Sequence, residues 1–339
     1  MNVLIVRPDG IGDEILSLPV ASALRRQQPQ SRIMFLSSAY AAPVLAHHPD
    51  LDDVVTVSGE ESFAELVALF RRKIDVALFL KPFRRLIMAS WWARVPQRVA
   101  TGYRWYGLFA NRRVYEHRSD FTKHEAEYNL GLLRGLGIEP GPVAPPRLVV
   151  TPEERAWAAS TLATIPSPRV ILHPGGFAAR RWASRHYWDL VQRLVSEGLA
   201  VGLTGNQAEG DRFREEIGRS PGATKGIEDF MGRLSVRQLM AVVAQSQVVV
   251  SGATGPAHMA AALGVATVSL FDPRRNNLPI RWAPLGRGFV LRPDVPTCEK
   301  CIYEACPYWD CLDRITADGV ADRIQSVLTR AESVTVQHV

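Results

Sequence analysis

Short apolar segments alternate with helical patterns along most of this chain, and this alternation limits the possible folds more than any other feature. Residues 2–6 are apolar and precede a glycine-containing turn at 7–14 and a helical pattern at 15–24. Further apolar segments, separated by helical patterns, occur at 32–37, 54–57 and 76–80. Strands that alternate with helices form parallel sheets covered by helices on both faces. The sequence therefore predicts an α/β fold.

A second alternating series follows a segment rich in glycine and proline at 139–146. Because proline and glycine interrupt both helices and strands, this segment is predicted to link two Rossmann-like domains. The predicted divisions are an N-terminal domain at 1–146, a C-terminal domain at 147–317, and a helix with a tail at 318–339. Between 81 and 125 the pattern becomes basic, aromatic and irregular, which is typical of a functional loop region.

The composition is that of a globular protein large enough for two hydrophobic cores, with 339 residues of which 47% are hydrophobic. The formal net charge of +6 is compatible with a small anionic substrate, an anionic membrane surface or a nucleic acid. No apolar run approaches the roughly 18 residues that span a bilayer, and no secretory signal pattern surrounds the first strand. We therefore expect a cytoplasmic protein.

A glycine-rich turn at 251–258 lies between an apolar strand and a helix of small residues. In a parallel sheet, such a turn directs backbone N–H groups and the positive end of the helix dipole toward one point, which suits a phosphate. An ordinary strand-to-helix turn has the same pattern. His258 lies one turn into this helix, near the predicted phosphate, and a role in packing is its alternative.

The first glycine turn carries a carboxylate at the predicted start of a helix. Gly10 and Gly12 let a ligand approach the backbone, and Asp13 is placed to act as a general base. Aspartate is also a common helix cap, so both roles remain open for Asp13. With two α/β domains, the carboxyl ends of the two sheets are expected to face each other across a cleft.

Arginine and aromatic residues are dense between 84 and 113. Arg84 and Arg104 are candidates for binding an anionic acceptor, because this mixture suits phosphorylated glycolipids, membrane head groups or single-stranded nucleic acid. A solvated basic face with aromatic core residues is the alternative. No nucleic-acid-binding module surrounds these residues, so nucleic acid is the least favoured partner.

The four cysteines lie close together in the sequence, at Cys298, Cys301, Cys306 and Cys311. In a reducing compartment such a cluster favours metal ligation over disulfide bonds. The spacing differs from that of standard zinc ribbons and fingers. A structural metal site and a cluster of reduced thiols are therefore both open.

Taken together, these motifs resemble glycosyltransferase family 9, the ADP-heptose:lipopolysaccharide heptosyltransferases. The motifs occur in the family's order and are Gly-Ile-Gly-Asp at 10–13, His-Pro-Gly at 173–175 with Arg-Arg-Trp at 180–182, Thr-Gly-Asn at 204–206, Met-Gly-Arg-Leu-Ser at 231–235 and Thr-Gly-Pro-Ala-His at 254–258. The cysteine spacing, Cys-x2-Cys-x4-Cys-x4-Cys, is most similar to the heptosyltransferase II branch.

The resemblance implies a GT-B fold and inverting transfer of heptose from ADP-L-glycero-β-D-manno-heptose to a lipopolysaccharide inner-core acceptor. Asp13 matches the family's catalytic base, and Arg180 matches the basic residue that faces the donor diphosphate. The implied donor-binding residues are Gly12, Gly205, Asn206, Gln207, Leu234, Thr254, Gly255, Pro256 and His258. No metal or other cofactor is implied. The implied partner is an anionic glycolipid, Kdo-lipid A or a heptosylated core, at the cytoplasmic face of the inner membrane.

Two positions depart from the family pattern. Ala253 stands where the family often has an acidic residue. Asn206 and Gln207, followed by Glu209, occupy a turn where an acidic residue commonly contacts the nucleotide ribose. These departures leave the sugar and the nucleotide open. The alternatives are a non-catalytic nucleotide-sugar-binding protein and a transferase of the same fold with another donor sugar or a protein acceptor.

Overall fold

The computed structural model describes residues 1–176 and 181–329 and the backbone of 337–338. The chain divides into two compact units, Met1–Val149 and Val150–Val339, so the division comes three residues after the predicted end of the linker. None of the helices in the described ranges combines the length and the apolar character that crossing a membrane requires.

The first unit alternates strands and helices from its first residues. Its elements are β1 Asn2–Val6, α1 Ile11–Ile15, α2 Leu18–Gln27, β2 Arg32–Ser38, α3 Ala42–Leu45, β3 Asp53–Val57, α4 Phe63–Phe70, β4 Val76–Phe79, α5 Arg84–Trp92, β5 Gln97–Thr101, β6 Arg112–Val114 and α6 Glu125–Gly131. Two 3-10 helices, at Trp105–Phe109 and Leu132–Leu136, complete this unit.

The strands of the first unit form a parallel sheet in the order β3-β2-β1-β4-β5-β6. β1 lies near the middle of the sheet, and its residues from Val3 to Val6 are completely buried. This burial is typical of a parallel strand that has helices on both sides. The chain order reverses between β1 and β4, and ligands bind α/β sheets at the carboxyl ends of the strands at such a reversal.

The second unit has the same kind of alternation. Its elements are α7 Pro152–Thr161, β7 Arg169–His173, α8 Ser184–Ser196, β8 Ala200–Leu203, α9 Gln207–Ile217, β9 Ile227–Asp229, α10 Val236–Val243, β10 Val248–Gly252, α11 Gly255–Ala262, β11 Ala266–Leu270, α12 Pro279–Trp282, β12 Gly288–Leu291, α13 Ala317–Thr329 and β13 Gln337–His338.

Within the described residues, the second sheet has the strand order β13-β12-β11-β10-β7-β8-β9, and its strands are parallel. Its order reverses between β7 and β10. α13 packs against α8, and its residues Val320, Ala321 and Ile324 join the hydrophobic core that β7, β8 and β10 also build. The last helix is therefore part of the second unit.

The expectation of an irregular region between 81 and 125 is wrong, because α5, β5 and β6 lie within it. α5 begins after Phe83, which provides no side-chain cap, so the usual signal for a helix start is missing. β6 carries two exposed arginines among its three residues and does not look like a buried strand. The short strands β9 and β12 were also not predicted from the sequence.

Candidate active site

Arg7 follows β1 directly and is only 2% exposed. Its guanidinium group donates hydrogen bonds to Asp13 and, at 3.0 Å, to Glu125, while its Nε lies 3.5 Å from Asp9 Oδ2. Burial lowers the pKa of Arg7, but the three carboxylates raise it further, so that the net shift is upward. Arg7 is therefore a buried cation that holds three carboxylates close together at the carboxyl end of β1.

Asp13 lies within α1, next to Gly12. Gly10 occupies the N-cap position of this helix, so the alternative that Asp13 caps the helix is wrong. The Asp13 carboxylate contacts Arg7 instead, and 28% of the side chain remains exposed. Burial raises the pKa of Asp13; Arg7 lowers it and Asp9 raises it, and the net shift is upward. A reachable carboxylate with a raised pKa is well suited to accept a proton.

α6 supports this arrangement with residues that the sequence did not single out. Glu125, its first residue, is buried and contacts both Arg7 and Arg118. Arg118 also donates to the Leu80 carbonyl and to Asn129 Oδ1, each at 2.9 Å. Arg118, Glu125 and Asn129 lie more than 100 residues after Arg7 in the chain, and only the tertiary fold brings them together.

Glu14 is a further carboxyl group at this edge of the sheet, and it is completely buried. It accepts hydrogen bonds from Ser37 Oγ at 2.6 Å and from the Ser38 N–H at 3.0 Å. Burial raises the pKa of Glu14 to about 7, although these hydrogen bonds lower it in part. Glu14 thus holds a proton at pH values where an ordinary glutamate is ionised.

In the second unit, the loop that follows β7 lies between the starts of α9 and α11. Gly176 has a φ of 131°, a conformation that favours glycine, and a Cβ at this position would lie 2.5 Å from the Thr254 methyl group. A Cβ at Gly175 would collide with the Glu209 carboxylate. The Gly176 N–H also donates to Glu209 Oε1 at 2.8 Å. Both glycines are therefore required for three loops to meet.

The predicted donor residues near β8 form the start of α9 and the turn beside it. Asn206 caps α9 in a reciprocal capping box with Glu209. Gln207 is the first residue of α9 and donates to Asp211 at 2.8 Å. The carbonyl of Gly205 accepts from the Gly232 N–H at 2.9 Å. These contacts tie the loop after β8 to the turn after β9, and half-buried Leu234 follows that turn.

The N-terminus of α11 differs from those of α7, α9 and α10, which all have capping boxes. Thr254 occupies its N-cap position without a capping hydrogen bond from its side chain. Pro256 has no N–H, and the Ala257 N–H donates to the Thr254 carbonyl at 3.1 Å. Among the described residues of this turn, the Gly255 N–H and the helix dipole therefore remain to bind an anion. The sequence predicted more backbone donors than this. His258 is buried behind this turn.

The loops after β7, β10 and β11 border a cavity of about 20 Å³. Its lining includes Gly175, Arg181, Trp182, Ala253, Thr254 and Asp272. Trp182 is part of the core, because it is buried and donates from Nε1 to the Ile315 carbonyl at 2.7 Å. Asp272 was not predicted. It is buried and forms a bidentate ion pair with Arg274, with N–O distances of 3.0 and 2.5 Å, so a carboxylate reaches this cavity although Ala253 supplies none.

The remaining predicted site residues lie elsewhere or are not described. Arg180 lies outside the described residues. Arg84 begins α5, and Arg104 precedes the 3-10 helix at Trp105–Phe109; both are exposed.

The four cysteines line a second cavity, of about 40 Å³, together with Asp272 and Arg274. Cys298, Cys301 and Cys306 are thiols outside any disulfide, and burial raises the pKa of Cys298. In the part of the chain that the structure describes, no group of three or more histidine, cysteine, aspartate or glutamate residues has the arrangement of a metal site. The interpretation as a metal site therefore receives no support here.

Comparison with known proteins agrees with this architecture. The family model described as glycosyltransferase family 9 (heptosyltransferase) matches residues 66–307, more than half of the chain. Lipopolysaccharide heptosyltransferase 2 from Salmonella typhimurium is 24% identical over 291 residues, which cover 80% of this chain and 83% of that protein.

Two solved structures show the same fold. ADP-heptose lipopolysaccharide heptosyltransferase II from E. coli superimposes with a TM-score of 0.80 at 22% identity, covering 97% of this chain and 98% of the other. The E. coli heptosyltransferase WaaC with ADP superimposes with a TM-score of 0.69 at 19% identity, covering 96% of this chain and 100% of the other. From the family model and the two parallel sheets it follows that this chain belongs to glycosyltransferase family 9 and is a glycosyltransferase with the GT-B fold.

Proposed function

We propose that this protein transfers heptose from ADP-L-glycero-β-D-manno-heptose to an acceptor in the inner core of lipopolysaccharide, with inversion at the anomeric carbon. Membership of family 9 supports the reaction class, and the relative from Salmonella supports the acceptor class. The observation in this chain that carries the proposal is Asp13, a partly exposed carboxylate whose pKa is raised and whose position is held by buried Arg7.

In the proposed reaction, Asp13 accepts the proton of the acceptor hydroxyl group as that oxygen attacks the anomeric carbon. The new carbon–oxygen bond forms on the face opposite to the departing nucleotide, which inverts the configuration. The bond between the sugar and the diphosphate breaks, and its electron pair leaves with ADP. Arg7 fixes the orientation of the carboxylate, and Glu125 and Asp9 share the charge of Arg7, so that Asp13 keeps its basicity.

The second unit is proposed to bind the donor. ADP is present in the structure of the E. coli heptosyltransferase WaaC, which supports an adenine nucleotide as the leaving group. The dipole of α11, the Gly255 N–H and the cations Arg180 and Arg181 would stabilise the charge that develops on the diphosphate. The remaining proposed donor contacts are Gly12, Gly205, Asn206, Gln207, Leu234, Thr254, Pro256 and His258. The proposal assigns no cofactor.

The acceptor is proposed to be an anionic glycolipid, Kdo-lipid A or a heptosylated core, met at the cytoplasmic face of the inner membrane. Arg84 and Arg104 are exposed cations of the first unit and are assigned to its phosphate and carboxylate groups. A peripheral contact with the membrane is part of this proposal, because the lipid portion of such an acceptor stays in the bilayer.

A second candidate is a transferase of the same class that uses another nucleotide sugar. Ala253 lines the cavity beside Thr254 and supplies no carboxylate there, whereas Asp272 reaches the same cavity from the loop after β11. A carboxylate that approaches from a different strand would meet different hydroxyl groups of the donor. This difference bears on the identity of the sugar and leaves the role of Asp13 unchanged.

The test is transfer by the purified full chain with a panel of nucleotide sugars. Kdo-lipid A and a monoheptosylated core serve as acceptors, and mass spectrometry detects the product. We expect ADP-heptose to add one heptosyl unit to one of these acceptors. Transfer from another donor alone would favour the second candidate. Stabilisation by ADP in a thermal-shift assay, without transfer from any donor, would contradict both and indicate a non-catalytic binding protein.

A further inference from the structure

The outer face of α5 has an unusual composition for a helix that covers a sheet. Positions 84, 85, 88, 91 and 92 share one face of the helix, and they hold two arginines, a methionine and two tryptophans. The opposite face is buried through Leu86, Ile87 and Ala89. Outer faces of such helices normally carry polar residues and charged residues of both signs. α5 instead exposes aromatic rings on its outer face while its opposite face is buried.

The 3-10 helix at Trp105–Phe109 packs beside α5 and enlarges this face. The Trp91 ring lies 5.3 Å from the Phe109 ring, and the Phe109 ring lies 6.5 Å from that of Trp105. The exposed fractions are 60% for Trp92, 60% for Trp105 and 70% for Leu108. We define the aromatic-arginine surface by six residues, namely Arg84, Trp92, Arg94, Arg104, Trp105 and Leu108.

The segment that carries this surface holds charges of one sign only. Residues 76–115 contain eight basic side chains and no acidic one. Arg98 and Arg113 are used internally, because they donate to the carbonyls of Phe109 at 2.7 Å and Gly107 at 3.1 Å. In contrast, the three arginines of the surface are exposed and form no ion pair with any residue that the structure describes. Their charges are therefore available to an external anion.

Acidic residues occur at one margin, where α4 begins. The Phe63 ring lies 6.4 Å from that of Trp92, and Glu60, Glu61 and Glu65 flank Phe63 in the sequence. Arg85 turns toward this margin and donates to the Glu61 carbonyl at 2.5 Å. The other residues of the surface, Arg94, Arg104, Trp105 and Leu108, follow α5 in the chain, in a segment that contains no acidic residue.

We propose that the aromatic-arginine surface docks this protein on an anionic lipid bilayer. Tryptophan is enriched at the level of lipid head groups, where its ring meets the apolar boundary, and arginines near a membrane are attracted by anionic lipids. Scattered exposed aromatic residues are common in proteins, but this surface combines them with arginines and excludes acids, which matches the charge of an anionic membrane.

The position of this surface also fits the proposed function, on which its biological role rests. Lys81 pairs with Asp9 at 2.7 Å, and Asp9 shares Arg7 with Asp13. α5 begins three residues after Lys81, so the surface starts close to the sheet edge that carries the candidate base. Docking through it would keep a membrane-anchored acceptor near Asp13.

The experiment measures binding of the full chain to vesicles made of phosphatidylglycerol and phosphatidylcholine in equal parts, with pure phosphatidylcholine as the comparison. We expect binding to the mixed vesicles that weakens as salt is added. Replacing Arg94 and Arg104 by glutamine should weaken it by about fivefold for each arginine. The double variant Trp92→Ala/Trp105→Ala should weaken it by about tenfold, from the apolar area removed.

Matched controls come from the second unit and from the region around the boundary between the units. Trp309→Ala removes a tryptophan that is 58% exposed, and Arg147→Gln with Arg287→Gln removes two exposed arginines. Both controls should bind vesicles like the unchanged protein, and thermal unfolding should verify that all variants are folded. The vesicles contain neither donor nor acceptor, so this result is independent of the transfer assay.

Three outcomes would overturn the proposal. In the first outcome, the unchanged protein does not bind the anionic vesicles. In the second, the control substitutions weaken binding as much as the substitutions in the surface do. In the third, the double tryptophan variant still binds vesicles but has a different molecular mass in sedimentation, which would identify the surface as a contact between proteins.

Discussion

The two units use the same α/β architecture but place different chemistry where their strand order reverses. In the first unit, the carboxyl end of β1 carries side-chain charges, with Arg7 bound to Asp13, Glu125 and Asp9. In the second unit, the corresponding ends of β7 and β10 carry glycine turns, and the start of α11 has no side-chain cap. One edge is therefore built mainly from side chains and the other mainly from backbone.

This difference matches the two tasks of a glycosyl transfer. Accepting a proton requires a side chain whose pKa is adjusted by its neighbours. Holding a diphosphate requires donors that point at its oxygens, and backbone N–H groups with a helix dipole provide them. The sheet edge around Arg7 should therefore be sensitive to substitutions that change charge. The edge at the ends of β7 and β10 should be sensitive to substitutions that add side-chain volume.

The largest effect on stability is expected from Arg7→Met. This change leaves buried Glu125 and partly exposed Asp13 without their shared cation, and breaking a buried ion pair costs about 3–5 kcal/mol. Urea unfolding measures the change. Arg32→Met removes an arginine from an exposed ion pair with Asp53 and should cost less than about 1 kcal/mol. Equal losses of stability for the two variants would mean that the cluster around Arg7 contributes no more than an exposed ion pair.

A smaller effect is expected from the titration of Glu14. Its pKa is about 7 in the folded protein, compared with an ordinary value of 4.5. Between these values the folded protein holds a proton that the unfolded chain has lost, so the free energy of unfolding falls as the pH rises from about 4.5 to about 7, by about 3 kcal/mol. Above pH 7 Glu14 is ionised in both the folded and the unfolded protein, and the free energy of unfolding falls no further on its account.

Glu14→Gln should remove this decline, since the amide does not titrate. Denaturant unfolding of both proteins at pH 5 and at pH 7 measures it. Glu60→Gln changes an exposed glutamate and should leave the pH dependence as it is. An unchanged decline in the Glu14 variant would show that another group is responsible.

The smallest of these effects is expected at the backbone edge. Gly176→Ala introduces a side chain at a φ of 131° and against the Thr254 methyl group, and we expect the affinity for ADP to fall by about tenfold. Thr254→Ser removes that methyl group, so the double variant should regain part of the affinity if the collision is the cause. Calorimetry of ADP binding measures both. No loss of affinity in Gly176→Ala would contradict the backbone-built site.

Local sequence patterns predicted the parts of both edges that depend on local structure. The turns at 7–14 and 251–258 follow apolar strands, β1 and β10, as the sequence predicts. The charge cluster around Arg7 was not predictable, because Glu125 lies 118 positions after Arg7 in the chain and meets it only through the packing of α6. Asp272 was missed for a similar reason, since nothing around it in the sequence marks the cavity that it reaches from the loop after β11.

α5 shows a different limit of sequence reasoning. Its outer face carries arginine and tryptophan, so the sequence lacks the usual division into an apolar and a polar side and predicts an irregular segment where the structure has a helix. The proposed membrane contact rests on this same outer face.

The most direct test of the account is the turnover of Asp13→Asn with ADP-heptose and the acceptor found in the transfer assay. The amide keeps the shape of the side chain but cannot accept the proton, so turnover should fall by about 10²–10⁴-fold while the affinity for ADP stays the same. Asp9→Asn is the matched control, since Asp9 also contacts Arg7, and it should lose less than about tenfold. Near-normal turnover in Asp13→Asn, or an equal loss in Asp9→Asn, would contradict the assignment of Asp13 as the base.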